Sequence, residues 1–226
     1  MRTLIIAILL LVLLPTLALF GFILSRDVFY VVDDYRYRLT VNFMVDGKPL
    51  SARGVVEETV HRPPCIMTET NCGHIAIKGD AVPVTFPNGK TVFVLLQVID
   101  TDRASIGVTP SRALPNTSPT GKMNVWMRRE FAVSTLLLPT IVYFPDPRDP
   151  YSVILTNPDR ISEIGGPTAA YVNATVMVTD EPVTRNVESY LPWINTFNSN
   201  LDVKKVEFFR YELMKNLVSY LRRDDL

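Results

Sequence analysis

The sequence predicts a mainly β (α+β) protein in which an N-terminal transmembrane helix precedes an antiparallel β-rich domain. A short mid-chain helix and a C-terminal amphipathic helix complete the predicted architecture. Three observations lead to it: an uncharged apolar run, strict two-residue alternation after that run, and 17 prolines against 10 glycines in 226 residues. Proline fixes φ and cannot donate to a β ladder, so this composition indicates many strand ends and rigid loops.

The apolar run covers residues 3–24 and contains no charged side chain. As a helix it would be about 33 Å long, which is enough to cross a hydrocarbon core of about 30 Å. The alternative is a cleaved signal peptide, but its only candidate cleavage site, after Ala18, leaves a strongly apolar new N-terminus. Arg2 before the run, against Arg26 followed at once by Asp27 after it, places the N-terminus inside. We therefore expect a single-pass protein of the bacterial inner membrane, with a cytoplasmic N-terminus and a periplasmic C-terminal domain.

The chain divides into a membrane anchor at 1–26, a β-rich extracytoplasmic domain at 27–200 and a C-terminal helical segment at 201–226. Residues 100–121 are rich in proline, serine and threonine and form a candidate domain seam. The apolar residues of 122–138 predict a short helix that packs on the sheet.

The clearest strand signal runs from Tyr35 to Val45, where apolar and polar residues alternate over the whole length. Asp46-Gly47 suits the positive φ of a tight hairpin turn, and residues 52–62 are expected to return beside the first strand.

Further strands are predicted along the rest of the chain. A turn at Gly79-Asp80 is expected between strands at 74–77 and 81–86, and Pro83 indicates an edge position. Residues 91–98 are almost continuously apolar, which indicates burial on both faces. Two later strands are predicted at 140–144 and 171–179.

The C-terminal segment from Asp202 to Arg223 spaces its apolar residues as one face of an amphipathic helix, with Asp202 as N-cap. The candidates for contact with a partner protein are Phe209, Leu213, Leu217, Arg222 and Arg223.

Both cysteines and both histidines of the chain fall in one short stretch: His61, Cys65, Cys72 and His74. An oxidising compartment favours a Cys65–Cys72 disulfide, which would close a hairpin loop and contribute about 2–3 kcal/mol. A tetrahedral metal site of all four residues and a pair of free thiols are the alternatives.

Charge and motif content exclude some functions. Lys plus Arg and Asp plus Glu both total 23, so there is no net field to attract nucleic acid. We find no nucleophile elbow, phosphate-binding glycine loop or zinc-protease motif, and so expect no catalytic residue and no cofactor. Arg36 and Arg38 share one strand face, which is more typical of a solvated sheet than of a ligand surface.

Several spaced motifs resemble an uncharacterised family of proteobacterial membrane-anchored envelope proteins. They are YRYRLTV at 35–41, YFPDPRDPYSV at 143–153 with NPD at 157–159, and VTDEPVT at 178–184 with LPW at 191–193. The resemblance implies membrane attachment but no activity, and it includes neither the cysteine–histidine stretch nor the C-terminal helix. The expected function is that of a membrane-tethered binding or scaffold protein with an envelope protein partner. The alternative is a metal-binding protein or hydrolase that uses the cysteine–histidine loop.

Overall fold

A computed structural model describes residues 31–61, 74–99, 108–115, 128–197 and 213–224, and these form two antiparallel sheets. The prediction of a mainly β fold is confirmed. No helix within those ranges is long and apolar enough to cross a membrane. The predicted anchor at 3–24 lies outside the described residues and stays a prediction.

The first sheet has six strands in the order β10-β3-β2-β1-β9-β6. Their bounds are β1 Val31–Val45, β2 Lys48–His61, β3 His74–Asp80, β6 Phe131–Ala132, β9 Ala170–Val178 and β10 Arg222–Asp224.

The second sheet has four strands in the order β4-β5-β7-β8. Their bounds are β4 Val82–Thr85, β5 Thr91–Val94, β7 Ile141–Tyr143 and β8 Ile154–Thr156. The short helices are α1 Ser162–Gly165 and α2 Leu217–Leu221, with 3₁₀ turns at Pro110–Ala113, Pro150–Ser152, Pro158–Arg160 and Val187–Ser189.

The hairpin of β1 and β2 is confirmed. Its turn residues Asp46 and Gly47 have φ values of 50° and 70°, the left-handed region that such a tight turn requires. On β1 the odd-numbered side chains from Tyr37 to Val45 are buried, and the even-numbered ones are not. The alternation in the sequence therefore identifies the core face of this strand.

Strand β9 contains one irregularity in its pairing with β1. The register of β1 against β9 shifts between Asn42 and Phe43, so that Phe43 pairs with Tyr171. Tyr171 packs edge-on against Phe43, with ring centroids 5.9 Å apart, while Val172 is 49% exposed. A bulge leaves one residue unpaired, and this reverses the faces of the residues beyond it.

Two apolar cores lie on opposite faces of the second sheet. The first core joins this sheet to the inner face of the first sheet and includes Val92 and Val94 of β5. The second core joins the other face to residues 187–194 and 213–221, and includes Phe93 and Leu95. Burial of residues 91–98 on both faces is thus confirmed.

The predicted turn at Gly79-Asp80 is wrong. Both residues belong to β3, and the chain continues through Ala81 into β4 of the second sheet. A strand that passes from one sheet to the other needs no reversal, and the Asp80 side chain is fully buried at this crossing. The edge position expected for Pro83 is confirmed, because β4 is an outer strand.

The predicted mid-chain helix is wrong where the structure describes it. Residues 128–138 contain β6 and a turn, and Phe131 pairs with Val176 at the edge of the first sheet. Three consecutive leucines do not define one helix face: Leu136 is 64% exposed, whereas Leu138 is buried.

The predicted C-terminal helix is also wrong at its end. Helix α2 stops at Leu221, and Arg222 to Asp224 form β10, which pairs with β3. The local spacing is helical, but the open edge of β3 offers backbone partners that end the helix. Residues 198–212, which include Phe209 and the predicted N-cap Asp202, lie outside the described residues.

Strands on both sides of the candidate seam at 100–121 share sheets. Strand β5 pairs with β7 in the second sheet, and β1 pairs with β9 in the first.

Candidate functional site

The outer face of the first sheet carries polar and charged side chains that are not buried in the described structure. The side chains of β1 alternate between the two faces: the inner ones fill the first core, and the outer ones are the polar residues of the strand. Asn42, Ser51 and Asn173 form a hydrogen-bonded row across three strands, in which Ser51 Oγ donates to Asn42 Oδ1 at 2.6 Å. This row of hydrogen bonds links neighbouring strands through uncharged side chains and involves none of the charged groups of the face.

A pocket of about 360 Å³ opens on this face. Its polar lining consists of Arg38, Thr40, Ser51, Arg53 and Glu130. Thr40 and Arg53 are directly paired across β1 and β2, so the ladder itself sets their spacing. The size lies at the lower end of the range for small-molecule sites, which is about 300–1,000 Å³.

The Arg38 guanidinium joins the pocket to the loop after β9. It donates to Glu181 at 2.7 Å through Nη1, and its Nη2 lies 3.9 Å from the Met177 sulfur. Thr184 adds a second link between this loop and the sheet, because its backbone N–H donates to the Val55 carbonyl. One side of the pocket is therefore braced by two contacts from the same loop.

A buried carboxylate lies on the opposite, inner face of β2. Glu58 is fully buried, and its Oε2 accepts hydrogen bonds from the Tyr35 hydroxyl and the Ser111 hydroxyl, both at 2.7 Å. Among the residues that the structure describes, its Oε1 and the hydroxyl of buried Tyr37 have no hydrogen-bond partner. Burial raises the pKa of Tyr37 well above 10.0, and the Glu58 charge adds to that shift. We call Glu58, Tyr35, Tyr37 and Ser111 the buried carboxylate cluster.

A second buried carboxylate, Asp80, fixes the C-terminal strand. Arg222 lies directly opposite it on β10 and donates two hydrogen bonds, at 2.9 and 3.0 Å. Arg185 and the backbone N–H groups of Asn186 and Val187 supply further donors. Burial would raise the pKa of Asp80, but the hydrogen bonds from Arg222 and Val187 outweigh it and hold that pKa below 3.8. We call this arrangement the Asp80 latch.

The cysteine–histidine stretch is described only at its ends. His61 and His74 are direct partners on the β2–β3 ladder. Cys65 and Cys72 lie between them, outside the described residues, so the disulfide, metal and free-thiol predictions all stay predictions.

The residues predicted to contact a partner have other roles where they are described. Leu213 and Leu217 are buried in the second core, with exposed fractions of 5% and 0%. Arg222 belongs to the Asp80 latch, and Arg223 lies half-buried opposite Gly79 on β3.

The sequence motifs that carry the family resemblance contribute residues to hydrogen bonds and ion pairs within the fold. Residues 35–41 supply two tyrosines of the buried carboxylate cluster, and Glu181 of the VTDEPVT motif pairs with Arg38. Trp193 of the LPW motif donates its ring N–H to the Pro147 carbonyl in the PDPRDP turn at 2.9 Å. The spaced motifs therefore make contact in two pairs: 35–41 with 178–184, and 143–153 with 191–193.

Comparison with known proteins identifies no relative of this chain. The chain matches no family model, no curated protein and no solved structure at a significant level.

Sequence reasoning missed Arg53, Glu130, Glu58 and Asp80. A sequence signal existed for Glu58: it lies two residues after Val56 on a predicted strand, so its side chain points to the same inner face. In the structure it pairs with Tyr35 across the strands. No comparable signal existed for Glu130, because the structure brings it to the pocket from a segment about 80 residues away in sequence from Arg53.

Proposed function

We propose that this chain is a membrane-tethered extracytoplasmic binding or scaffold protein, held in the bacterial inner membrane by residues 3–24. The observation that supports binding is the pocket on the outer face of the first sheet, where charged and hydroxyl side chains converge. The proposed role is not enzymatic, since it rests on surface presentation and on no catalytic group.

The architecture is consistent with presentation of one surface. The inner face of the first sheet is buried in the first core. One face of the second sheet is buried in the same core, and its other face is buried in the second core. A tether confines the remaining polar face close to the bilayer, where the effective concentration favours envelope partners.

Site-specific cross-linking in intact bacterial cells tests this proposal. A photo-reactive residue at Ser51, which is exposed and lines the pocket, is expected to capture a specific envelope component. The matched control is the same group at exposed Asp159, which does not line the pocket. Equal labelling from both positions, or a protein that leaves the membrane fraction without detergent, would contradict the proposal.

The second candidate function is that of a metal-binding protein or a hydrolase that uses the loop of His61, Cys65, Cys72 and His74. It is favoured by the ladder pairing of the two histidines, since the Cα atoms of directly opposed residues lie about 4.5–5.5 Å apart. Metal content of the full chain, purified in detergent, is to be compared with that of Cys65→Ser. One metal per chain that is lost in the variant supports this function. Little metal together with a Cys65–Cys72 disulfide excludes it.

A further inference from the structure

The charges on the outer face of the first sheet are mostly neutralised in pairs. Arg36 bonds to Glu57 at 2.6 Å, and Arg38 bonds to Glu181 at 2.7 Å. At the rim, Arg128 pairs with Asp180 at 2.5 Å. These pairs leave little net charge to attract a simple anion or cation to the face as a whole.

Arg53 and Glu130 depart from this pattern. Both are exposed and line the same pocket, yet within the described chain neither makes an ion pair, with each other or with another group. Two opposite charges thus border one cavity while their charged groups stay beyond direct contact.

This arrangement is complementary to a molecule that carries both charges. Arginine presents a planar fork of donors that matches a carboxylate or a phosphate, and a glutamate oxygen accepts from an ammonium group. Thr40 is the ladder partner of Arg53 and adds a hydroxyl group to the pocket lining. A ligand with a single charge would leave one of the two side chains without a partner.

We propose that the pocket binds a zwitterion, a compact group with a primary ammonium and an anionic carboxylate or phosphate a few ångströms apart. The Arg53 guanidinium holds the anionic end and the Glu130 carboxylate holds the ammonium end. The inference rests on the proposed function, because it names the ligand class of the same pocket. Such a group is present in a free α-amino acid and in a phosphoethanolamine lipid headgroup.

Binding to the full chain in an uncharged maltoside detergent tests the ligand class, with calorimetry as the readout. The probes are L-alanine and glycerophosphoethanolamine, and their single-charge counterparts are acetate, glycerophosphate and ethanolamine. We expect at least one zwitterion to bind at least about fivefold more tightly than its single-charge counterparts. Vesicles with and without phosphatidylethanolamine distinguish the lipid source from the free one.

Charge exchange at the pocket tests the assignment of the two ends. Arg53→Glu and Glu130→Arg should each weaken zwitterion binding at least about fivefold, and the double exchange should restore it to within about threefold. Arg160→Gln is the matched control, since this exposed arginine does not line the pocket and should bind like the parent chain. Circular dichroism confirms that each variant keeps its fold.

Two results would overturn the inference: no zwitterion binds at millimolar concentration, or a single-charge probe binds as tightly as its zwitterion. A lack of restoration in a folded double variant would also contradict the assigned ends. If Ser51 still captures a specific component in cells, the ligand class is wrong and the binding function stands. If that capture fails as well, both proposals fail.

Discussion

Replacement of Arg222 by methionine is expected to destabilise the fold by disrupting the Asp80 latch. Asp80 is fully buried, whereas the Arg222 side chain is 13% exposed. Methionine preserves much of the apolar stem of arginine but removes both hydrogen bonds to the carboxylate. The variant therefore leaves a buried charge with fewer donors and creates no large cavity.

The magnitude follows from the donors that remain. Removing one partner of a buried ion pair usually costs about 3–5 kcal/mol. Arg185 still contacts Asp80 at 3.1 Å, and two backbone N–H groups continue to donate. Because these groups compensate in part, we expect a loss of about 2–3 kcal/mol and a decrease of about 1 M in the urea midpoint.

The acid limb of the stability curve provides an independent check. The pKa of Asp80 lies below 3.8 in the folded chain, so the unfolded state binds more protons as the pH falls through this range. The contribution of Asp80 is therefore complete well above pH 3.8 and is lost on acidification below it. Asp80→Asn should remove that part of the acid dependence.

Urea unfolding of the full chain in detergent, followed by tryptophan fluorescence at neutral and acid pH, measures both effects. Arg160→Met is the matched control, because its partner Glu163 is exposed, and its urea midpoint should not change. An unchanged midpoint for Arg222→Met would refute the argument that the latch stabilises β10. An acid dependence that is the same with and without Asp80 would refute the assignment of the titrating group.

Three further predictions concern the two cores and are tested by the same unfolding measurement. Tyr37→Phe removes a buried hydroxyl that has no hydrogen-bond partner among the described residues, and it should not destabilise the fold. Tyr35→Phe removes a donor to the buried carboxylate and should cost about 1 kcal/mol, so equal losses would contradict this argument. Gly54→Ala places a Cβ atom 2.7 Å from a methyl carbon of Val82 and should cost about 1–3 kcal/mol, and a neutral result would show that the sheets separate easily there. Leu217→Ala opens a cavity in the second core and should cost about 2–5 kcal/mol; loss of a binding partner without loss of stability would instead favour a surface role.

The predicted strands that the structure confirms have a local pattern of apolar residues that by itself indicates which side chains are buried. On β1 a single local period of two separates buried from solvated side chains over the whole strand, and the turn residues Asp46 and Gly47 require no distant contact. On β5 an almost unbroken apolar run indicated packing on both faces, and the two cores lie on those faces. Local chemistry was sufficient in both cases because each residue's environment follows from its strand position.

The tertiary structure decided what local spacing left undetermined. Arg222 continues a helical pattern in the sequence but joins a strand, because Asp80 and the open edge of β3 are available to it only after folding. Residues 131–132 become an edge strand through pairing with β9.

The pocket and the buried carboxylates were decided in the same way. Arg53 and Glu130 are distant in sequence and line one pocket, and Ser111 reaches Glu58 from a separate segment. Periodicity along a chain carries information about burial and local geometry. The partner that a charged side chain meets across the fold depends on topology, which no local pattern specifies.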